Sequence, residues 1–202
     1  MKKLVAIAAT CALLGSATAA LAAGDPAAGK AKSAVCVACH NPDGNSTNPA
    51  YPKLAGQSAD YLTKQLVEFK SGARVNPIMV GMVAALTPQD MEDLSAYFAS
   101  QQIARGAADP ALAPAGEALF RGGNLTSGVS ACMACHGAAG AGNPAAKFPA
   151  LAGQHDVYIE TQLKAFRAME RANDAGQMMR GVAAKLTDQE IKAVSSYIQG
   201  LQ

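Results

Sequence analysis

Apolar side chains recur along this chain at the three- and four-residue spacing of amphipathic helices. Two segments show the spacing most clearly, Leu62, Leu66 and Phe69 in one and Met91, Leu94 and Phe98 in the other. Ser58 and Thr87 stand just before these segments, where a hydroxyl can cap a helix N-terminus. The period-two alternation of half-buried strands is missing from the sequence. The pattern therefore predicts an all-α fold.

The second half of the chain repeats the first. AVCVACH at 34–40 matches SACMACH at 130–136, YPKLAGQ at 51–57 matches FPALAGQ at 148–154, and MVGMVAALTPQD at 79–90 matches MRGVAAKLTDQE at 179–190. The offset grows from 96 to 97 and then to 100, so the second copy has three extra residues between Phe166 and Met179. Such self-similarity indicates two copies of one domain.

The repeat sets the expected domain boundaries at 23–104 and 114–202, with an exposed connector rich in alanine and proline at 105–113. Each copy is expected to contain three or four short helices and long loops. Asp25 and Pro26 predict a first helix that ends near Cys36. Thr187 and Glu190 have the spacing of a capping box. Domains this small, with no tryptophan, would be marginal unless a non-protein group completed their interior.

Residues 1–22 have the pattern of a cleavable secretory signal. Two lysines precede an apolar run from Leu4 to Leu14, and small residues follow up to Ala22. The alternative is a membrane anchor, but the run is well short of the ~20 residues needed to span a bilayer. We therefore predict cleavage near Ala22 and a periplasmic mature chain. No later stretch is long and apolar enough to span a membrane, although peripheral association stays open.

Removing this segment also removes the formal charge excess, because Lys2 and Lys3 account for all of it. The remaining chain has 15 basic and 15 acidic residues. A nucleic-acid-binding protein usually shows a basic stripe or patch, so the sequence does not support that function.

All four cysteines beyond Cys11 belong to two C-x-x-C-H motifs, which comprise Cys36, Cys39 and His40 in the first copy and Cys132, Cys135 and His136 in the second. A structural zinc site could use such residues, but its ligand pairs usually lie closer than 96 residues. A dithiol redox site usually sits at a βαβ junction. The third reading is covalent haem c, in which the cysteines form thioethers and the histidine binds iron. We predict two haem c groups, one per domain.

Methionine is the usual sixth iron ligand in electron-transfer haems. A methionine chosen at random is more often core filler. The repeat distinguishes the candidate ligands from the other methionines, because only Met79 aligns with another methionine, Met179. Both stand in M-x-G. We predict that Met79 binds the first iron and Met179 the second. The nearest rivals are Met82 and Met178.

Together, the twin C-x-x-C-H motifs, the two LAGQ segments, the M-x-G segments and the terminal SSYIQG resemble the diheme cytochrome c4 family of bacterial periplasms. The resemblance covers essentially the whole mature chain. It implies two class I cytochrome c domains related by a pseudo-twofold axis, with haem edges facing and propionates near the interface. It also implies that the carbonyl of Pro52 or Pro149 accepts a hydrogen bond from the ligand imidazole, which would orient the ring.

These observations predict an electron carrier and not an enzyme, because His/Met ligation leaves no open iron position. The resemblance implies delivery to a terminal oxidase from a respiratory donor such as a quinol-oxidising complex. One alternative is a cytochrome subunit that accepts electrons from a catalytic partner such as a flavoprotein. A less favoured alternative is a diheme peroxidase, for which His155 is the only additional imidazole. We interpret His155 as a surface or capping residue, because it aligns with Ser58.

Overall fold

The structure is a computed structural model that describes residues 24–202. The predicted signal segment and its cleavage site lie outside the described residues. Within 24–202 the chain forms ten α-helices: α1 Pro26–Lys32, α2 Val37–His40, α3 Ala59–Ser71, α4 Pro77–Val83, α5 Pro88–Ala99, α6 Ala113–Gly122, α7 Met133–His136, α8 Asp156–Arg167, α9 Met178–Ala183 and α10 Asp188–Gly200. This part of the chain contains two isolated β-bridges and no strand, which confirms the all-α prediction.

Each domain contains five α-helices, so the expectation of three or four was too low. The additional helix in each copy is the C-x-x-C-H motif, which forms a single turn as α2 and as α7. The first helix also ends earlier than predicted, at Lys32, and a 3₁₀ turn at Ser33–Val35 leads to Cys36. In the second domain a 3₁₀ turn at Ala175–Gln177 lies where the repeat has its three extra residues.

Side-chain caps fix the helix starts that the sequence indicated. The Asp25 carboxylate accepts from the backbone N–H of Ala27 at 2.8 Å, and the Ser58 hydroxyl accepts from that of Tyr61 at 3.3 Å. The capping box predicted at Thr187 is present. Thr87 forms a second one with Asp90, although aspartate is shorter than the usual glutamate or glutamine at that position.

The first and last helices of each domain cross at a glycine. Helix α1 packs on α5 and α6 packs on α10. A Cβ atom at Gly29 would lie 2.0 Å from the carbonyl oxygen of Asp93, and one at Gly116 would lie 2.2 Å from that of Ala193. Helix α3 also packs on α5 and α4, while α8 packs on α10 and α9. The glycines thus allow a backbone approach that no larger residue permits.

We expect Gly116→Ala to lower the free energy of unfolding by about 3 kcal/mol, at the upper end of usual overpacking costs. The clash is with backbone, which cannot rotate away as a side chain could. Gly122→Ala on the same helix is the control, because no atom lies within 4 Å of a Cβ there. Denaturation followed by far-UV circular dichroism checks the pair. Equal midpoints for the two variants would contradict the close crossing of α6 and α10.

Each domain has its own apolar cluster, and each cluster contacts the first cysteine of the local C-x-x-C-H motif. In the first domain it is small, with Leu62, Leu94, Tyr97 and Phe98 buried against Cys36. The second cluster is larger and packs against Cys132. The connector between the domains is mostly exposed but held in place, since the Gln199 side chain donates to the carbonyl oxygen of Ala107 at 3.0 Å and the Asp109 N–H donates to the Ser196 hydroxyl at 2.8 Å. None of the helices between residues 24 and 202 has the length and apolarity needed to cross a bilayer.

Candidate haem sites and the seam between the domains

The C-x-x-C-H residues of each domain lie together on one helical turn. Cys36 immediately precedes α2, and Cys39 and His40 lie within it. Burial raises the pKa of the Cys36 thiol and raises that of Cys132 to about 11. Zinc ligands and redox-active cysteines are thiolates, which need a lowered pKa. Among the described residues, no group of three or more His, Cys, Asp or Glu side chains could hold a metal ion, so the geometry gives the zinc alternative no support.

Each motif histidine is held by a proline carbonyl. Nδ1 of His40 lies 2.9 Å from the carbonyl oxygen of Pro52, and Nδ1 of His136 lies 2.9 Å from that of Pro149. Both contacts were expected from the family resemblance and are confirmed. Burial lowers the pKa of both imidazoles against the opposing effect of these bonds. Because a carbonyl can only accept, Nδ1 carries the proton, and Nε2 presents its lone pair to a metal.

The aligned methionines lie in corresponding helices and are both half-buried. Met79 is in the first turn of α4, where the Asn76 carboxamide oxygen accepts from its backbone N–H at 2.9 Å. Met179 is in the first turn of α9. The rivals Met82 and Met178 are 46% and 44% exposed. The two rivals therefore contact less protein than the pair that the repeat selects.

The two domains meet along a seam of reciprocal hydrogen bonds. The residues that play equivalent roles in the two domains lie 97 positions apart. Gln154 accepts from the backbone N–H of Lys53 at 2.8 Å and donates to its carbonyl at 2.9 Å. Gln57 makes the same pair of bonds to Ala150, both at 2.9 Å. Both glutamines end the LAGQ segments that the sequence repeats. The seam is therefore pseudo-symmetric at the level of individual atoms.

A second set of seam contacts centres on two arginines that also lie 97 residues apart. Arg74 donates to the Tyr158 hydroxyl and the Gln162 carboxamide oxygen, both at 2.9 Å. Arg171 donates to the Tyr61 hydroxyl at 3.0 Å and to Gln65 at 3.3 Å. Each guanidinium thus reaches from its own domain to a tyrosine and a glutamine of the other. We call these six residues the arginine cluster.

The arginine cluster has an excess of positive charge. Its tyrosine and glutamine partners are neutral, and the nearby carboxylate of Glu68 is shared with Lys64 at 2.7 Å and with Asn173. Burial of the Tyr158 hydroxyl would raise its pKa, but Arg74 and Arg171 outweigh that effect, and the pKa is lowered. Among the described residues, Gln65 Nε2 is a buried donor with no hydrogen-bond partner. The cluster therefore favours an anion that accepts hydrogen bonds.

His155 breaks the symmetry of the seam. It precedes α8 as Ser58 precedes α3, but its side chain forms no cap. Its Nε2 instead lies 2.8 Å from the carbonyl oxygen of Ser46 in the first domain. The ring is half-buried, and burial lowers its pKa. The capping role expected of His155 is therefore wrong, because its imidazole contacts the Ser46 carbonyl of the other domain instead.

A sequence profile described as cytochrome c matches residues 26–102 and again 113–202. Cytochrome c4 of Thiocapsa roseopersicina is 55% identical over 180 residues, which cover 88% of this chain and 93% of that protein. The chain belongs to the cytochrome c4 family. The crystal structure of reduced recombinant cytochrome c4 from Pseudomonas stutzeri has a TM-score of 0.87 and 52% identity, and the match covers 89% of this chain and all of that one. A thiosulfate dehydrogenase electron acceptor of Thiomonas intermedia is 37% identical, over 98% of this chain and 90% of its own length.

Membership in this family establishes two tandem cytochrome c domains and two covalently bound haem c groups. The residues described above fit such groups. Each domain offers a cysteine pair, a histidine with a free Nε2 and a half-buried methionine. The arginine cluster and the Gln65 Nε2, which has no partner among the described residues, suit the carboxylates that haem carries. As a member of the family, the protein transfers electrons.

Proposed function

We propose that the protein is a periplasmic electron carrier that holds one His/Met-ligated haem c in each domain. Cys36 and Cys39 would attach the first haem, and His40 and Met79 would bind its iron. In the second domain the corresponding residues are Cys132, Cys135, His136 and Met179. The observation that carries the proposal is the matched pair of sites, in which each histidine is fixed through Nδ1 and each aligned methionine is half-buried.

When bound, haem supplies one-electron chemistry at iron, and the protein's residues determine how easily that occurs. The proline carbonyls hold each imidazole in one orientation and tautomer, so little rearrangement accompanies gain of an electron. A thioether ligand favours ferrous iron, which raises the reduction potential. Arg74 and Arg171 would neutralise haem carboxylates at the seam. The edge of Tyr51 near His40 and the ring of Phe148 near His136 add apolar cover to the two histidines.

The finer proposal is that the carrier accepts electrons from a respiratory donor, such as a quinol-oxidising complex, and delivers them to a terminal oxidase. A second candidate is electron acceptance from a catalytic partner. The thiosulfate dehydrogenase electron acceptor of Thiomonas intermedia supports this candidate, because its match extends over nearly the whole chain. Stopped-flow reduction by a purified quinol-oxidising complex or by thiosulfate dehydrogenase separates the two, since only a physiological donor should reduce the haem within milliseconds.

We expect the purified holoprotein to contain two haem groups per chain and to bind no carbon monoxide when fully reduced. Two His/Met-ligated irons have no open position for the gas. A haem assay and the visible spectrum before and after addition of carbon monoxide make this measurement on one sample. A spectral change in about half of the haem would reveal one open iron and would favour the peroxidase alternative.

A further inference from the structure

One peptide group in each domain links the haem-ligand histidine to the other domain. The carbonyl of Pro52 accepts from His40 Nδ1 at 2.9 Å. The N–H of the same peptide group belongs to Lys53, and it donates to the Gln154 carboxamide oxygen at 2.8 Å. An unbroken hydrogen-bonded path therefore runs from His40 through a single peptide to a side chain of the second domain.

The second domain has the same path in the opposite direction. The carbonyl of Pro149 accepts from His136 Nδ1 at 2.9 Å, and the N–H of Ala150 donates to Gln57 at 2.9 Å. Each glutamine is additionally fixed by the backbone N–H of the residue that follows it, at 3.0 Å for Gln57 and 3.1 Å for Gln154. Both are at least nine-tenths buried, with 8% and 5% of their surface exposed. Water therefore has little access to replace them.

A peptide group that donates through its N–H becomes a better acceptor at its carbonyl, because hydrogen bonds in series polarise one another. A stronger acceptor at Nδ1 makes the imidazole a more basic ligand. Basic ligands favour ferric iron and so lower the reduction potential. We propose that Gln154 and Gln57 are positioning residues that tune the haem of the opposite domain, Gln154 the first haem and Gln57 the second.

This inference rests on the proposed function only in taking His40 and His136 as iron ligands. It adds that the potential of each haem depends on docking of the other domain. A glutamine that merely held the domains together would act differently, since loosening the seam would admit water. Ferric haem carries more positive charge than ferrous haem, so water would stabilise the ferric form and lower the potential. Loss of the hydrogen-bonded path from the glutamine to the imidazole, which we call the relay, raises the potential instead. The sign of the change in potential therefore separates the two roles.

The test uses the full-length holoprotein with Gln154→Leu and Gln57→Leu, measured by spectroelectrochemical titration. Potentials are assigned to domains with Met79→Ala and Met179→Ala, each of which perturbs one haem. We expect Gln154→Leu to raise only the first haem's potential and Gln57→Leu only the second's. A threefold to tenfold decrease in the ratio of ferric to ferrous haem at a fixed applied potential corresponds to a rise of roughly 30–60 mV for one electron.

Two half-buried glutamines that do not bond to the Lys53 or Ala150 peptide groups provide matched controls. Gln199 donates to the carbonyl of Ala107, and Gln101 donates to that of Tyr97. Leucine at either position should leave both potentials unchanged. Gln154→Glu keeps the acceptor for the Lys53 N–H, and its negative charge also favours ferric iron, so this variant should not raise the first potential. All variants should keep two haems per chain.

A change in the reduction potential of the haem in the mutated domain, or a fall in either potential after leucine substitution, would overturn the relay. Unchanged potentials in both leucine variants would do the same. Failure of the proposed histidine ligation has a separate signature, because His40→Ala and His136→Ala would then leave the visible spectra of both haems unchanged. The relay and the ligand assignment can therefore fail independently.

Discussion

Met79→Ala is expected to make half of the ferrous haem bind carbon monoxide, and Met179→Ala is expected to do the same for the other half. Removing the thioether leaves each iron with the histidine alone, and alanine is too short to replace it. The matched positions of the two methionines, each in the first turn of its helix and each half-buried, predict equal effects. Visible spectra of the reduced variants with and without the gas give the bound fraction.

The same variants should lower the reduction potential of one haem by roughly 0.1–0.3 V, a fraction of the ~0.8 V range that axial ligands span. Loss of the thioether removes the ligand that favours ferrous iron. Met82→Ala and Met178→Ala are the controls, because both side chains are nearly half exposed. Carbon monoxide binding in a control, combined with none in Met79→Ala or Met179→Ala, would show that the repeat alignment selects the wrong methionine.

Much of the fold followed from the sequence because the signals are local. Helix caps at Ser58 and Thr187, and the spacing of apolar residues after them, depend only on neighbours along the chain. The count of helices was too low because α2 and α7 are single turns, too short for periodicity to reveal. The C-x-x-C-H signal from which haem attachment is predicted is equally local.

The seam could not be predicted in the same way, because its bonds join residues about 100 positions apart. The repeat held an unused signal, since Arg74 and Arg171 align at the offset of 97 already shared by Tyr61 and Tyr158. Alignment shows that two residues play equivalent roles but does not show that they reach across to each other. His155 illustrates the limit, because its alignment with Ser58 suggested a cap, whereas its imidazole binds the other domain.

Arg74→Gln and Arg171→Gln are each expected to lower the reduction potentials and to make them depend on pH near neutrality. Arg74 is buried and Arg171 is half-buried, and both guanidinium groups point into the seam, where their tyrosine and glutamine partners are neutral. A positive charge near haem favours the ferrous state. At an assumed separation of about 10 Å and an effective dielectric of ~20, one charge contributes roughly 1.7 kcal/mol. That energy corresponds to about 70 mV for one electron.

The pH dependence follows from the haem carboxylates that the arginine cluster would hold. A neighbouring guanidinium keeps the pKa of a carboxyl group low, so the carboxylates of the native protein stay ionised throughout the neutral range. Without the arginine that pKa rises. Protonation then removes negative charge as the pH falls, and the potential increases toward acid. The native protein should show a flat profile over the same interval.

Arg167→Gln is the matched control for Arg171→Gln. Both residues precede α9, but the Arg167 guanidinium pairs with Asp188 and donates to the Leu186 carbonyl at 2.9 Å, both in its own domain. Arg167→Gln should leave the potentials within a few millivolts of the native values, because solvent screens this ion pair, in which the Asp188 side chain is 71% exposed. Arg74→Lys keeps the positive charge and should keep a flat pH profile, even though it loses the forked geometry. Potentials that stay unchanged in both glutamine variants would mean that the cluster neutralises no haem carboxylate, and Gln65 Nε2, which lacks a partner among the described residues, would then need another acceptor.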